Sequence, residues 1–195
     1  MGLVFMHAVV SVDGFIADDH DDVGPLFDWY FNGDTEIVAG GPFRISRASA
    51  EYVRGTWDRI GATIMGRRLF DQTNGWEGKP PAGDHIVVVS HRPKPAGWHP
   101  EASCHFVPDI SEAVRVARDL AGERDVAVTA GDIGGQAFAV GLIDEVAMDV
   151  VPVVFGSGKR YFGSVDARHL LADPHLVLAG DRVLHLRYRP LTEGP

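Results

Sequence analysis

Three places in the sequence set cationic or glycine-rich residues where an apolar run ends, and that combination suits phosphate chemistry. Gly66-Arg67-Arg68 follows the run Ala62–Met65. A guanidinium fork matches phosphate oxygens two at a time, so adjacent arginines at a strand end suit an anion. Ser90-His91-Arg92-Pro93 closes Ile86–Val89, and the carboxyl ends of strands are where open α/β sheets bind ligands. Gly131, Gly134 and Gly135 follow the run Val126–Val128 and lead into a short helical pattern ending near Gly141. Strand, glycine turn and helix bring backbone N–H groups close to an anion, and the helix N-terminus favours negative charge.

Other constellations fail on inspection. Gly156-Ser157-Gly158-Lys159 lacks the glycine a phosphate loop needs at position 153, where Val153 stands, and Arg160 replaces its Ser or Thr. No Gly-x-Gly-x-x-Gly follows a strand, which argues against a Rossmann site. The nine histidines form neither His-Glu-x-x-His nor a Cys/His ligand cluster, so no metal site is expected. Ser11, Ser90 and Ser157 are not in a nucleophile-elbow setting.

The elements that must carry these residues read as one α/β domain spanning 1–195, a length that supports a sizeable core. Hydrophobic residues make up 45% and charged residues 23%, the balance of a soluble globular protein. The net charge of -9 argues against a nucleic-acid partner. No apolar run reaches membrane-spanning length and no secretory leader is visible, so no membrane partner is expected. A single cysteine, Cys104, excludes an intramolecular disulfide and fits a reducing, cytoplasmic compartment.

Strands are expected at Leu3–Val10, Ala62–Met65, Ile86–Val89, Ser103–Val107, Val126–Val128 and Glu145–Val154. A short strand is also expected at Thr35–Val38, and a closing hairpin over Leu176–Leu178 and Val183–Tyr188. Pro25 suits the first turn of a short aromatic helix reaching Phe31, which serves as core, dimer contact or wall for a flat substrate. A helix from Ile45 or Ser46 to Trp57 places Ile45, Ala48, Tyr52 and Val53 on one side. The clearest helix runs from Asp109 to Ala121, with Asp109 as N-cap, Glu112 in the capping-box position and Gly122 as the stop. Asp18–Asp22 reads as a solvated acidic loop.

Four stretches taken in order carry a family resemblance: Ser11-Val12-Asp13-Gly14-Phe15-Ile16-Ala17, Met65–Phe70, Val89–Pro93 and Gly141–Phe162, the last including Gly-Leu-Ile-Asp-Glu and Val-Pro-Val-Val-Phe-Gly-Ser-Gly-Lys-Arg-Tyr-Phe. The chain resembles the dihydrofolate-reductase-like family. The branch it is most similar to is the reductase domain of the bifunctional riboflavin-biosynthesis deaminase-reductase. The resemblance implies a three-layer fold, a mixed but mostly parallel sheet with helices on both faces, and NADPH across its C-terminal edge. It implies a homodimer acting on a small-molecule substrate.

On that resemblance Gly66, Arg67, Arg68, Ser90, Arg92, Gly131, Gly134 and Gly135 are the cofactor-binding residues. The turn holding Asp13 borders the nicotinamide pocket, making Asp13 the first candidate to relay or position a proton and Asp28 the second. Three positions depart from the pattern. Leu69 stands where the family often has threonine, Thr129-Ala130 where it commonly has Gly-Gly, and Asp132 would repel a pyrophosphate. The expected activity is an NADPH-dependent reductase of a small heterocyclic or carbonyl substrate, resembling 5-amino-6-(5-phosphoribosylamino)uracil reductase. A non-catalytic nucleotide- or ligand-binding protein on the same fold, and a pteridine reductase, are the alternatives.

Overall fold

The computed structural model describes residues 2–191; residue 1 and residues 192–195, the ends of the expected 1–195 domain, lie outside the described residues. The strands in chain order are β1 (Val4–Ser11), β2 (Phe15–Ala17), β3 (Thr35–Glu36), β4 (Arg44–Ile45), β5 (Ile60–Gly66), β6 (His85–Val89), β7 (Cys104–Val107), β8 (Asp125–Thr129), β9 (Glu145–Val151), β10 (Lys159–Arg160), β11 (Leu176–Ala179) and β12 (Leu184–Tyr188). The α-helices are α1 (Arg47–Trp57), α2 (Arg67–Thr73), α3 (Ile110–Ala121) and α4 (Asp132–Ala139).

Eight strands form one sheet in the order β11-β12-β9-β1-β8-β5-β6-β7. The six from β9 to β7 run parallel, while β12 is antiparallel to β9 and β11 antiparallel to β12. This is the mixed, mostly parallel sheet that the motifs imply.

Alternation along β1 explains the layering. Val4, Met6 and Val10 join Ala113, Val114 and Ala117 of α3 and Ala137 and Phe138 of α4 in one core. Val9 joins Ala50 and Val53 of α1 in another, with Phe5 in a small cluster beside it. Successive strand residues point to opposite faces, so a strand apolar on both needs helices on both. Each fully buried Val, Met or Phe contributes about 1.5–3 kcal/mol over exposure.

Local chemistry sets the boundaries. Asp109 accepts the Glu112 N–H at 2.9 Å, and Gly122 follows α3 with φ 63°. Ser46 caps α1 by accepting the Ser49 N–H. Four expectations are corrected. The strand expected to reach Val154 stops at Val151, because Pro152 has no N–H for the ladder. Ala48 is exposed on α1, whose inner face is Ser49, Ala50 and Val53. The aromatic segment Gly24–Phe31 is a 3₁₀ helix, and the strand expected over 35–38 is the two-residue β3.

Candidate functional site

A cavity of about 440 Å³ opens at the carboxyl ends of β5 and β8, a volume within the range that holds a small molecule or cofactor. One wall is the end of β5 and the start of α2, with Gly66, Arg68, Leu69 and Gln72. A second is the turn into α4, from Thr129 to Ile133. The chain after β2 and the segment Gly158–Ser164 complete it.

The turn into α4 depends on Gly131. Its φ of 91° is unfavourable for a residue with a side chain, and an added Cβ would stand 3.2 Å from Ile16 Cδ1. Its N–H donates to the Tyr161 carbonyl at 2.7 Å, and its carbonyl accepts the Gly135 N–H at 2.8 Å. Asp132 then begins α4 inside the cavity wall. Gly66 lets the end of β5 approach α4, since a Cβ there would lie 2.9 Å from Ile133 Cγ1.

Three cations line the cavity, Arg68, Lys159 and Arg160, against two carboxylates, Asp21 and Asp132. Asp21 is ion-paired with Arg68 and lies 4.0 Å from Lys159 Nζ. The carboxylate of Asp132 accepts the Ser164 hydroxyl at 3.1 Å. Ile16, Val23, Ala130 and Ile133 add apolar lining. The combination suits a ligand with both a ring and an anionic group. The glycine turn, the N-terminus of α4 and the three cations fit the phosphates of NADPH; Asp132 and Ala130 are the parts that fit least.

The cavity gathers Gly66, Arg68 and Gly131 from the residues singled out in the sequence, and leaves seven outside its walls. Arg67 points to Asp71, with Nε–Oδ1 at 2.7 Å, and donates to the Pro93 carbonyl at 3.1 Å. Arg92 reaches the same carboxylate at 3.0 Å. Two of the three arginines therefore converge, but on Asp71, whose carboxyl the Arg67 hydrogen bond and charge hold below its ordinary range. Ser90 closes its own turn on the backbone N–H and carbonyl of Arg92. Gly134 and Gly135 are packing positions, where a Cβ would collide with Met6 and with the Phe162 carbonyl.

Asp13 anchors a loop. It accepts the Ser11 hydroxyl at 2.6 Å, the Gly156 N–H at 2.7 Å and the Phe155 N–H at 3.2 Å. The Ser11 hydroxyl and those N–H groups lower its pKa, which suits an anchor rather than a proton donor at neutral pH. Asp28 is exposed and borders a separate hollow of about 20 Å³ beside Trp29 and Arg182.

Sequence reading missed a buried polar network on the α1 face. Asp149 of β9 bonds His7 Nε2 at 2.9 Å and His185 Nδ1 at 2.6 Å. His185 Nε2 in turn bonds Ser49 Oγ at 2.9 Å, and Ser46 Oγ lies 3.1 Å from Ser49 Oγ. Ser49, Asp149 and His185 are buried, so their Ser-His-Asp order is sealed from any substrate. Burial pushes the Asp149 carboxyl up, and the two imidazoles more than offset it, holding it well below its ordinary range. The alternation of β1 was the available signal: His7 and Asp149 are polar residues inside apolar strands, and buried polar groups need partners.

Among the described residues, no group of three His, Cys, Asp or Glu side chains could hold a metal ion, and no helix is long and apolar enough to cross a membrane. Burial raises the Cys104 thiol to about 11, which leaves it inert.

No protein-family model and no curated protein sequence matches the chain. Solved structures match its fold. A protein from Shewanella sp. PV-4 assigned to riboflavin biosynthesis is 16% identical, with a TM-score of 0.70 over 97% of this chain and 99% of that one. A diaminohydroxyphosphoribosylaminopyrimidine deaminase/5-amino-6-(5-phosphoribosylamino)uracil reductase from Thermotoga maritima is 15% identical, with a TM-score of 0.59 over 97% of this chain. Acinetobacter baumannii RibD is 18% identical, with a TM-score of 0.58 over 98%. This chain spans 57% and 58% of those last two. The fold is theirs; at these identities the likeness extends no further.

Proposed function

We propose that the chain is an NADPH-dependent reductase of a small heterocyclic or carbonyl substrate, in the reductase branch to which its motifs are similar. The observation that carries this reading is the cavity at the ends of β5 and β8, where a glycine turn, a helix N-terminus and three cations meet an apolar floor. Backbone N–H groups at the start of α4, with Lys159 and Arg160, would hold the diphosphate. Arg68 is the cavity's candidate for the 2′-phosphate. Ile16, Leu69 and Ile133 would exclude water from a ring. NADPH bound there would supply a hydride. The substrate class follows the neighbours, two of which are named for deaminase-reductase activity or for RibD. A homodimer in the cytoplasm belongs to the same proposal; Phe31, 63% exposed, and Phe27, 40% exposed, supply apolar surface for a partner copy.

Quenching of the four tryptophans by NADPH tests the reading. Saturable quenching at micromolar to millimolar NADPH supports it, and its absence removes it. Ala130 and Asp132 favour a second reading, a binding protein that retains the fold without turnover. Saturable NADPH binding without oxidation of NADPH in the presence of 5-amino-6-(5-phosphoribosylamino)uracil would favour that one.

A further inference from the structure

The His7–Asp149–His185–Ser49 chain stands behind the residues that line the cavity, yet one end of it is open. His185 and Asp149 have side chains 0% and 2% exposed, whereas His7 is 31% exposed. The Asp149 carboxylate is held ionised and only accepts, so His185 Nδ1–H and His7 Nε2–H both donate to it. On its far side His185 Nε2 lies 2.9 Å from Ser49 Oγ. Among the described residues, Nδ1 of His7 has no hydrogen-bond partner.

The strand pairing sets His7 beside two residues of the cavity wall. His7 pairs in register with Thr129, and the Ala130 N–H donates to the His7 carbonyl at 3.1 Å. Thr129 and Ala130 both line the cavity. Neighbouring strands lie about 4.8 Å apart, so an imidazole spans that distance. Residues paired in register share a sheet face, which puts the His7 ring and the Thr129 side chain together on the α1 side. A buried carboxylate is costly unless it is paired, and His7 is the partner of Asp149 that reaches solvent.

We propose that His7 is a catalytic residue of this site, holding a proton on Nδ1 and passing it to the substrate, with Asp149 as the positioning residue behind Nε2. The proposal rests on the reductase reading above. For a C=N or C=O substrate, the carbon accepts the hydride of a dihydronicotinamide, which is oxidised by two electrons. The π pair moves to the heteroatom, and the Nδ1 proton joins it there. His7 is left as the neutral Nε2–H tautomer that Asp149 already holds, and it regains its proton from solvent. Asp149 also holds His185 of β12, which packs on the Tyr52 ring of α1, and its charge reaches Tyr30 and Tyr52. Glu145 of β9 is committed to Arg187 and to His175, and Arg187 also bonds the Tyr52 hydroxyl.

The full chain without ligand gives the first test. The His7 ring nitrogens are followed by NMR in the wild type and in Asp149→Asn. The wild type should carry its hydrogen on Nε2, facing Asp149, and the variant a mixture of the two tautomers. If Asp149→Asn does not fold, diethyl pyrocarbonate labelling of the wild type, read by mass spectrometry, decides instead: His7 is modified and sealed His185 is not. A His7 ring with the same tautomer in both proteins, or one that resists the reagent, overturns the proposal.

His7→Gln, which keeps a donor for Asp149, should bind NADPH within about two-fold of wild type, a difference under 0.5 kcal/mol. With 5-amino-6-(5-phosphoribosylamino)uracil as probe its kcat should fall by about 10²- to 10⁴-fold with KM little changed. Unchanged kcat, or lost NADPH binding, overturns the proton role. Wild type that binds no NADPH removes the reductase reading instead, and the tautomer and labelling results still decide whether Asp149 orients an accessible His7 ring.

Discussion

Asp21 stands between the cavity and two of its cations, so removing its charge should tighten binding of an anionic ligand. Its side chain is 17% exposed and that of Arg68 is 64% exposed. A pair so open to solvent is worth about 0.2–1 kcal/mol. A phosphate that recruits Arg68 must first break that pair. Asp21→Asn should therefore raise NADPH affinity by about 1.4- to 5-fold at low salt. The gain should shrink as salt rises, because surface charges are screened beyond about 10 Å at 0.1 M. Arg68→Ala should weaken NADPH by about 2- to 100-fold, the charge-assisted bond of about 1.5–3 kcal/mol less the pair that no longer has to be broken. Titration calorimetry of wild type, the two single variants and the double variant closes the cycle. The Asp21→Asn gain should largely vanish on the Arg68→Ala background, with a remainder through Lys159. A loss of affinity in Asp21→Asn would make Asp21 part of the ligand's cradle. An equal gain on both backgrounds would show that Arg68 is not the group it restrains. Either result refutes the reasoning.

Arg67 is tied to Asp71 and the Pro93 carbonyl, and its guanidinium lies 5.6 Å and 5.7 Å from the Phe70 and Phe106 ring centres. Arg67→Ala should cost about 1–2 kcal/mol in urea unfolding and change the NADPH to NADH affinity ratio little; a ten-fold change in that ratio would return Arg67 to the site. Gly131→Ala should destabilise by about 1–2 kcal/mol through its positive φ and weaken NADPH, read by the same two assays; an unaffected protein would show that the turn tolerates a side chain. Asp13 has a folded pKa below its unfolded value, so its contribution to stability is present above the unfolded pKa and is lost as pH falls through the folded one. The difference in Tm between wild type and Asp13→Asn should therefore be widest near neutral pH and narrow in acid, and a gap that widens in acid would contradict the anchoring role.

The sheet was legible in the sequence because its strands are buried on both faces and read as apolar runs. Ile86–Val89 and Val126–Val128 needed no partner information to be seen as strands. Helix α3 was legible for a different reason: its cap, stripe and stop agree with one another. The boundaries that slipped are those where a tertiary contact decides. Glu145–Val154 looked continuous, and only the missing N–H of Pro152 cut it. The arginines show why a site is harder to read than a fold. Sequence places Arg67, Arg68 and Arg92 at two neighbouring strand ends, and the sheet does bring those ends together. What sequence does not show is the side-chain competition. Asp71, four residues along α2, takes Arg67 and Arg92, while Asp21, from a loop that reads as merely solvated, takes Arg68. Lys159 belongs to a glycine-lysine stretch that fails as a phosphate loop, yet it reaches the cavity by β10 pairing with β2. His7, Asp149 and His185 lie 142 and 36 residues apart along the chain. Only the order β12-β9-β1 makes them neighbours. A polar residue in an apolar strand announces that it needs a partner, and the strand order decides which partner it finds. For His7 that partner is a buried carboxylate one strand away, with the wall of the cavity one strand away on the other side.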